Sequence, residues 1–515
     1  MMIKSMNIAF WVQRWRELHP EKPAVIFNDH VITYRELHAR SNRTAYWLQS
    51  LGIEKGDRVA VMLMNSPEFI EVFVACSRLG AIFVPINYRV TVRELHHPII
   101  NARPRVFIFD QTHMNKIESL GLENQFPPML LAVVGHVSPC GNIRRYNPET
   151  AAFDGKQPFI SRSLGPSDPE EPQVIMYTSG TTGAPKGAVL SHRKTFFNCL
   201  NAEIFFKLNF DDIMLIVLPL FHSGGLFIQA APTLYKGATI LLHAKFDAAS
   251  VYRDIEKYGV SKFLGVPTVF RALLNVPPEQ RGDVSSLKTI AGGGEKTSPE
   301  LFQACKAAGF GFRQIMGQTE TSILLWASEE VSLNRPGTVG RPVFHAEVSI
   351  LDQGGRRVKP GEIGEIVVRG SIMMKEYWQD PEQTDATIKN GYLHTGDLAY
   401  VDKDGYYYLV DRVDDMYISG GENVYPAEVE AVLREMDGID DIAVVGVPDA
   451  IWGSSGHAFV IPQNGWNLEL TDIQRHCHER LARYKIPKLV SIVKDLPRTA
   501  LGKVRKTELR RRIEK

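Results

Sequence analysis

Residues 177 to 187 read Tyr-Thr-Ser-Gly-Thr-Thr-Gly-Ala-Pro-Lys-Gly. This stretch brings together Gly180, Gly183 and Gly187, the hydroxyls of Thr178, Ser179, Thr181 and Thr182, and one cation, Lys186. Glycine lets a backbone turn tightly and come close to a ligand. Free N–H groups, hydroxyls and an ammonium are the groups that cradle phosphate. The apolar run Val174 to Tyr177 before the loop and the run Ala188 to Leu190 after it both read as strands. The segment is therefore expected to be a phosphate loop between two strands.

The ATPase P-loop, G-x-x-x-x-G-K-[ST], is the obvious rival. Counted from Gly180, its second glycine falls on Pro185, the residue after Lys186 is Gly187 rather than Ser or Thr, and no helical pattern opens there. A solvated Gly/Ser/Thr loop is the bland alternative, but this density of hydroxyls, glycines and a lysine is far from ordinary loop composition.

A chain of 515 residues exceeds one ordinary core and predicts two to four domains. A formal net charge of +1 gives no global reason for nucleic-acid or membrane binding. The five cysteines, Cys76, Cys140, Cys199, Cys305 and Cys477, show no pairing pattern and suit a reducing compartment, so the expectation is cytoplasmic. The start lacks signal-peptide features. The run Ile213 to Phe221 is too short to span a bilayer. His476, Cys477 and His478 are adjacent and complete no metal site, and they read as surface residues. Ile8, Trp11, Trp15 and Leu18 recur at helical spacing, as a helix docked on its own core or, alternatively, one lying on a membrane surface. A peripheral membrane contact and a homodimer are both compatible with the sequence.

The chain then alternates helix-like and strand-like stretches. Residues 35 to 51 read as a helix ended by Gly52, Arg58 to Met64 as a strand, Pro67 onward as a helix and Ile82 to Ile86 as a strand. A second such stretch follows from residue 180 to about 290. This alternation predicts an α/β fold with two largely parallel-sheet subdomains. Residues 137 to 172 read as a linker. Short strand-like segments after residue 340, at Glu347 to Leu351 and Glu365 to Arg369, predict a small β-rich, barrel-like module. A helix at Pro426 to Glu435 and a strand at Ile442 to Gly446 then open a small α+β unit. The expected domains are residues 1–413 and a mobile 414–515. The basic tail from Lys503 to Lys515 is read as solvated, with no nucleic-acid role.

Several islands look chemical. Met316 to Glu320 offers a hydroxyl and a carboxylate; Tyr392 to Asp397 offers a second carboxylate. Asp411-Arg412 and Pro497 to Lys503 add an arginine and a lysine. Carboxylates suit a ribose diol or magnesium, and cations suit phosphate oxygens. Singly, each has a structural reading as good. In order, together with Thr33 to Leu37, Pro219 to His222, Gly292 to Glu295 and Ser419 to Pro426, they resemble the adenylate-forming superfamily over nearly the whole chain. That superfamily includes acyl-CoA synthetases, nonribosomal-peptide adenylation domains and beetle luciferases.

The resemblance implies ATP, Mg²⁺ and coenzyme A as reactants. It implies that the 177–187 loop, with Thr178, Ser179, Gly180, Thr181, Thr182, Gly183 and Lys186, holds the β- and γ-phosphates. Gly292, Gly293, Gly294 and Glu295 line the adenine site, with Gly317 and Gln318 adjoining the nucleotide. Thr319 contacts the α-phosphate and Glu320 holds magnesium. Asp397 takes the ribose hydroxyls with Arg412 nearby. Lys503 bridges the acyl carboxylate and the α-phosphate, Asp414 is the hinge, and Ser419, Gly420 and Gly421 line the CoA thiol tunnel. His222 stands beside the carboxylate pocket. Where the family often has an aromatic residue before Gly317, this chain has Met316, which offers a thioether in place of a ring stack.

The acid is less legible. Ser223, Gly224, Gly225 and the glycines at 292 to 294 suggest room near the carboxylate pocket, and no lysine or arginine stands out there. This predicts an apolar acid, a medium- or long-chain fatty acid first and a benzoate- or cinnamate-type acid second. Loading of a separate carrier-protein thiol and nucleotide binding without ligation are the readings from other classes; retention of Glu320, Asp397 and Lys503 weighs against the latter.

Overall fold

Thr33 and Glu36 form a reciprocal capping box that starts the helix Tyr34–Ser50, and Gly52, at φ +81°, leads the chain away from its end. Pro67 opens the helix Pro67–Leu79, which stops at Gly80 in the left-handed region. Both helices lie where the apolar periodicity places them. The computed structural model describes residues 6–120, 130–135, 143–146, 148, 168–178, 185–294, 297–413, 415–419, 422–449, 452–478, 480–481, 483–499 and 502–513. Most of the expected linker at 137–172 lies outside them.

The described residues fall into two compact units. The larger holds residues 6–178, 185–348 and 368–393. Its first sheet runs Glu376–Tyr377, Lys186–Ser191, Pro172–Thr178, Ile82–Pro85, Arg58–Met62, Val106–Asp110, Leu130–Val134 and Ile143–Arg145. From Pro172–Thr178 onward its neighbours are parallel, whereas Lys186–Ser191 returns antiparallel against Pro172–Thr178. The second sheet is parallel through Arg313–Gln318, Thr289–Gly293, Lys262–Gly265, Ile213–Ile216, Thr239–Leu242 and Pro23–Phe27, with antiparallel strands flanking both sides. The fold is therefore α/β with two parallel-sheet layers, as the alternation predicts.

The N-terminal helix Ile8–Leu18 buries Ile8, Ala9, Trp11 and Val12, and the Trp15 indole donates to the Tyr235 carbonyl at 3.0 Å. It is docked on its own core, with Leu18 turned outward. Among the described residues, no helix is long and apolar enough to cross a membrane.

The smaller unit holds residues 349–367 and 394–513. Its antiparallel strands Tyr392–Val401 and Tyr407–Arg412 precede an α+β portion. There, the helix Pro426–Arg434 packs on a sheet ordered Glu422–Val424, Tyr417–Ser419, Gly453–Pro462 and Ile439–Asp449, with Leu489–Ile492 paired to Gly453–Pro462. Two expectations are corrected here. Cys477 is not a surface residue: it is fully buried in this core, and neighbouring His476 donates from its Nε2 to the Val432 carbonyl at 3.0 Å. A helix turned inward at Cys477 buries one residue of the triplet, whatever its neighbours do. Nor is the basic tail merely solvated. It forms the helix Lys506–Ile513, held by buried Leu509, a Lys506–Glu430 pair at 2.8 Å and an Arg510–Asp415 pair at 3.2 Å.

Candidate active site

The strands Pro172–Thr178 and Lys186–Ser191 pair from Val174↔Leu190 to Thr178↔Lys186, so the chain between them leaves and re-enters one sheet at the same height. Ser179, Gly180, Thr181, Thr182 and Gly183 lie outside the described residues. The stem is defined: Thr178 Oγ1 donates to the Lys186 carbonyl at 3.4 Å, and the Lys186 ammonium sits 5.6 Å from the Tyr377 ring centroid. On the described side of the segment a strand begins at Lys186, where a P-loop would open a helix.

The hairpin Arg313–Gln318 to Ser322–Ala327 carries the second group. Gln318 pairs with Ser322, so Thr319, Glu320 and Thr321 form its tip. Thr319 and Glu320 are half-buried, whereas Thr321 and Ser322 are buried. Gly317 is required: a Cβ there would fall inside the envelope of the Ser322 carbonyl oxygen. Ser322 itself has φ +59°, a left-handed conformation that three-residue hairpin loops often need at their closing residue. Tyr377 donates its hydroxyl to Glu320 Oε1 at 2.9 Å, and the Met374 N–H donates to the Glu320 carbonyl at 2.6 Å. Met316 is buried within the strand.

A carboxylate has about four lone-pair sites, and the tyrosine takes one. Magnesium needs only one or two carboxylates beside substrate phosphates, and Glu320 fits that demand. Among the described residues, no three His, Cys, Asp or Glu side chains gather as a ligand set of their own.

Three of the glycines read as room for substrate, Gly225, Gly292 and Gly293, serve packing instead. A Cβ on Gly292 would meet the Phe312 ring, one on Gly293 the Ile315 side chain and carbonyl, and one on Gly225 the Pro219 carbonyl. Gly294, at φ +88°, turns the chain out of the strand Thr289–Gly293, and Glu295 lies outside the described residues. A missing side chain marks open space only where nothing else fills it. Around His222 stand rings: Phe221 at 4.4 Å, Tyr88 at 5.2 Å from Phe221, and His113 stacked on Tyr88 at 5.7 Å between centroids. His222 precedes a π-helical stretch, Gly224–Ala230, a form often found at functional sites.

In the smaller unit, Asp397 and Arg412 sit directly opposite on paired strands and bond at 2.6 Å. Gly396, at φ +70°, precedes Asp397 within the strand Tyr392–Val401, and its N–H donates to Glu365 Oε1 at 2.8 Å. Asp411 accepts from the N–H groups of Arg412 and Ala427, both at 2.8 Å; burial raises its pKa, with the nearby Lys506 ammonium opposing. Asp414, Gly420 and Gly421 lie outside the described residues. Ser419 is buried, and its Oγ has no hydrogen-bond partner among the described residues, an unspent polar group in keeping with a ligand-lining segment. Lys503 is exposed on a tight loop closed by Thr499 N–H to the Lys503 carbonyl at 2.7 Å, with Gly502 at φ +92°.

Two residues that touch the hairpin of Thr319 and Glu320 escaped the sequence reading. Tyr377 reaches Glu320 from 57 residues away, and no local pattern marks it. Lys194, on the helix His192–Phe206, is fully buried, and its ammonium donates to Ser322 Oγ at 2.6 Å.

The two-sheet α/β body with a small α+β unit is the architecture of adenylate-forming enzymes. The family described as AMP-binding enzyme matches residues 12–378, and the AMP-binding enzyme C-terminal domain matches residues 428–503. A feruloyl-CoA synthase from Amycolatopsis sp is 37% identical over 513 residues, covering 99% of this chain and 100% of that protein. The long-chain-fatty-acid–CoA ligase FadD13 of Mycobacterium tuberculosis is 32% identical over 510 residues, covering 98% of each. The o-succinylbenzoate CoA synthetase MenE of Bacillus subtilis, solved with its acyl-adenylate intermediate OSB-AMP, superposes with a TM-score of 0.83 at 30% identity, covering 98% of each chain. It has also been solved with ATP and a magnesium ion. The chain belongs to the AMP-binding enzyme family. It is an AMP-forming CoA ligase.

Proposed function

We propose that this ligase activates an aromatic carboxylic acid of the aryl or arylpropenoate type, first to its acyl-AMP and then to its CoA thioester. ATP, magnesium and CoA are the nucleotide, metal and thiol of the reaction. The observation that carries the choice of acid is the run of rings through Tyr88, Phe221, His222 and His113. Aromatic pairs favour edge-to-face and offset contacts, so such a wall receives a planar ring well. The whole-length similarity to a feruloyl-CoA synthase points the same way. A fatty acid is the second reading, favoured by the whole-length similarity to FadD13.

The residue roles follow from charge. Joining a carboxylate to ATP brings two anions together. Lys186 and the hydroxyls of its loop meet the terminal phosphates. Thr319 donates at the α-phosphate, and Lys503 bridges that phosphate and the acyl carboxylate. Glu320, steadied by Tyr377, holds magnesium, which supplies further charge neutralisation. Asp397, oriented by Arg412, accepts from the ribose hydroxyls. The chemistry asks for position and electrostatics more than for covalent work. Thioester formation then needs a thiol path, for which Ser419, Gly420 and Gly421 are proposed, and a swing about Asp414 at the boundary between residues 1–413 and 414–515 exchanges them with Lys503.

Acid-dependent AMP release in the presence of CoA, measured over a panel of cinnamates, benzoates and C6–C18 fatty acids, is expected to be highest with a hydroxycinnamate. A maximum among fatty acids would reverse the order of the two readings, and release that needs a carrier protein in place of CoA would replace both. Asp414→Pro fixes φ and is expected to spare acid-dependent ATP–pyrophosphate exchange while stopping thioester formation; normal overall turnover would remove the hinge.

A further inference from the structure

We propose that Lys194 is a positioning residue for the adenylating hairpin: its ammonium clamps Ser322 and so holds Thr319 and Glu320 in the geometry the nucleotide requires. This rests on the roles proposed above for Thr319 and Glu320.

Lys194 is 0% exposed, on the helix His192–Phe206. Its ammonium donates at 2.6 Å to a hydroxyl, Ser322 Oγ, and lies 5.6 Å from the Phe227 ring centroid. One turn further on, Asn198 donates from the same helix to the Phe227 carbonyl. Taking an ammonium out of water costs several kcal/mol, and an apolar side chain would fill the same volume without that cost. Burial pushes the Lys194 ammonium down to about 7, while the Glu320 carboxylate pulls it back up. The side chain therefore feels the proposed metal ligand electrostatically as well as touching its hairpin.

The contact falls where the hairpin most needs it. Ser322 is the residue with φ +59°, it closes the three-residue tip against Gln318, and its carbonyl excludes a Cβ at Gly317. A non-glycine residue in that conformation persists only where its surroundings hold it. Tyr377 restrains the tip from the carboxylate end, and Lys194 restrains it from the closing end.

The test compares full-length wild type, Lys194→Met, Ser322→Ala and the double variant. Five quantities are read: kcat and KM for MgATP in acid-dependent ATP–pyrophosphate exchange, thioester formation from supplied acyl-AMP and CoA, calorimetric affinity for a magnesium complex of a non-hydrolysable ATP analogue, and thermal midpoint. Each single variant is expected to slow exchange about ten-fold and to weaken the analogue by a similar factor, because misplacing groups near the chemistry costs rate steeply. Thioester formation from acyl-AMP is expected to stay within about two-fold, and the double variant is expected to be no worse than either single one, since residues acting through one contact are non-additive. Unchanged exchange in a folded variant overturns the proposal. So do additive losses, or a parallel fall of both half-reactions with the thermal midpoint, which mark a purely structural lysine. If Lys194→Met does not fold, Ser322→Ala decides alone, because it leaves the helix core untouched. Wild type without exchange on any acid overturns the proposed function itself, whereas wild-type exchange with unaffected variants overturns only the positioning role.

Discussion

Lys503→Ala is expected to lose acid-dependent ATP–pyrophosphate exchange by on the order of 10²–10³, the usual cost of removing one preorganised charge-stabilising group. Thioester formation from supplied acyl-AMP is expected to survive largely intact. The asymmetry follows from where charge is opposed. Adenylation drives a carboxylate onto a phosphate, and the ammonium bridging the two neutralises charge that accumulates in that transition state alone. Once the mixed anhydride exists, the incoming thiol displaces AMP without joining two anions. The exposed, tightly turned loop around Gly502 presents the lysine without burying it, so its removal leaves no cavity and should not lower the thermal midpoint. Equal loss in both half-reactions would mean that Lys503 serves the fold or the acyl pocket rather than the first chemical step.

Gly317→Ala is expected to damage the candidate site far more than the addition of one carbon ordinarily does. The added Cβ has no free direction, because the Ser322 carbonyl already occupies its position. Relief requires the two strands of the hairpin to part beneath Thr319 and Glu320. Overpacking of this kind typically costs about 1–3 kcal/mol, which a chain with extensive sheets on both sides can survive. The site should not: displacement by about 1 Å can cost on the order of 10² in rate. A folded Gly317→Ala protein with exchange lowered to that extent is therefore expected. Exchange within a few-fold of wild type would show that the hairpin tip tolerates movement, and would weaken the roles proposed for Thr319 and Glu320 together.

Much of the architecture is legible locally. Pro67 and Gly80 bracket a helix because proline fits a first turn and glycine a left-handed cap. The runs at Val174 and Ala188 lie in strands because apolar residues bracketed by turn formers seek a buried sheet. Met316 to Glu320 ends a strand as its pattern indicates. Inference failed where a residue's meaning depends on what faces it. Gly225, Gly292 and Gly293 suggest space in one dimension, yet in three dimensions Pro219, Phe312 and Ile315 occupy it. Cys477 sits between two histidines in the chain but against Val429, Leu433 and Ile473 in the core cluster.

The linear order of residues reaches the reaction class through the resemblance it carries to the adenylate-forming superfamily: a hydroxyl- and glycine-rich segment with one lysine, two separated carboxylates and a late lysine succeed one another as they do there, and that succession needs no coordinates. Folding alone settled which polar groups are dry and what they touch. Lys194 under Ser322, Tyr377 on Glu320 and the rings around His222 are long-range juxtapositions. Local propensity reports backbone preference within a few residues, whereas burial, electrostatic environment and reach are properties of surfaces assembled from distant parts of the chain.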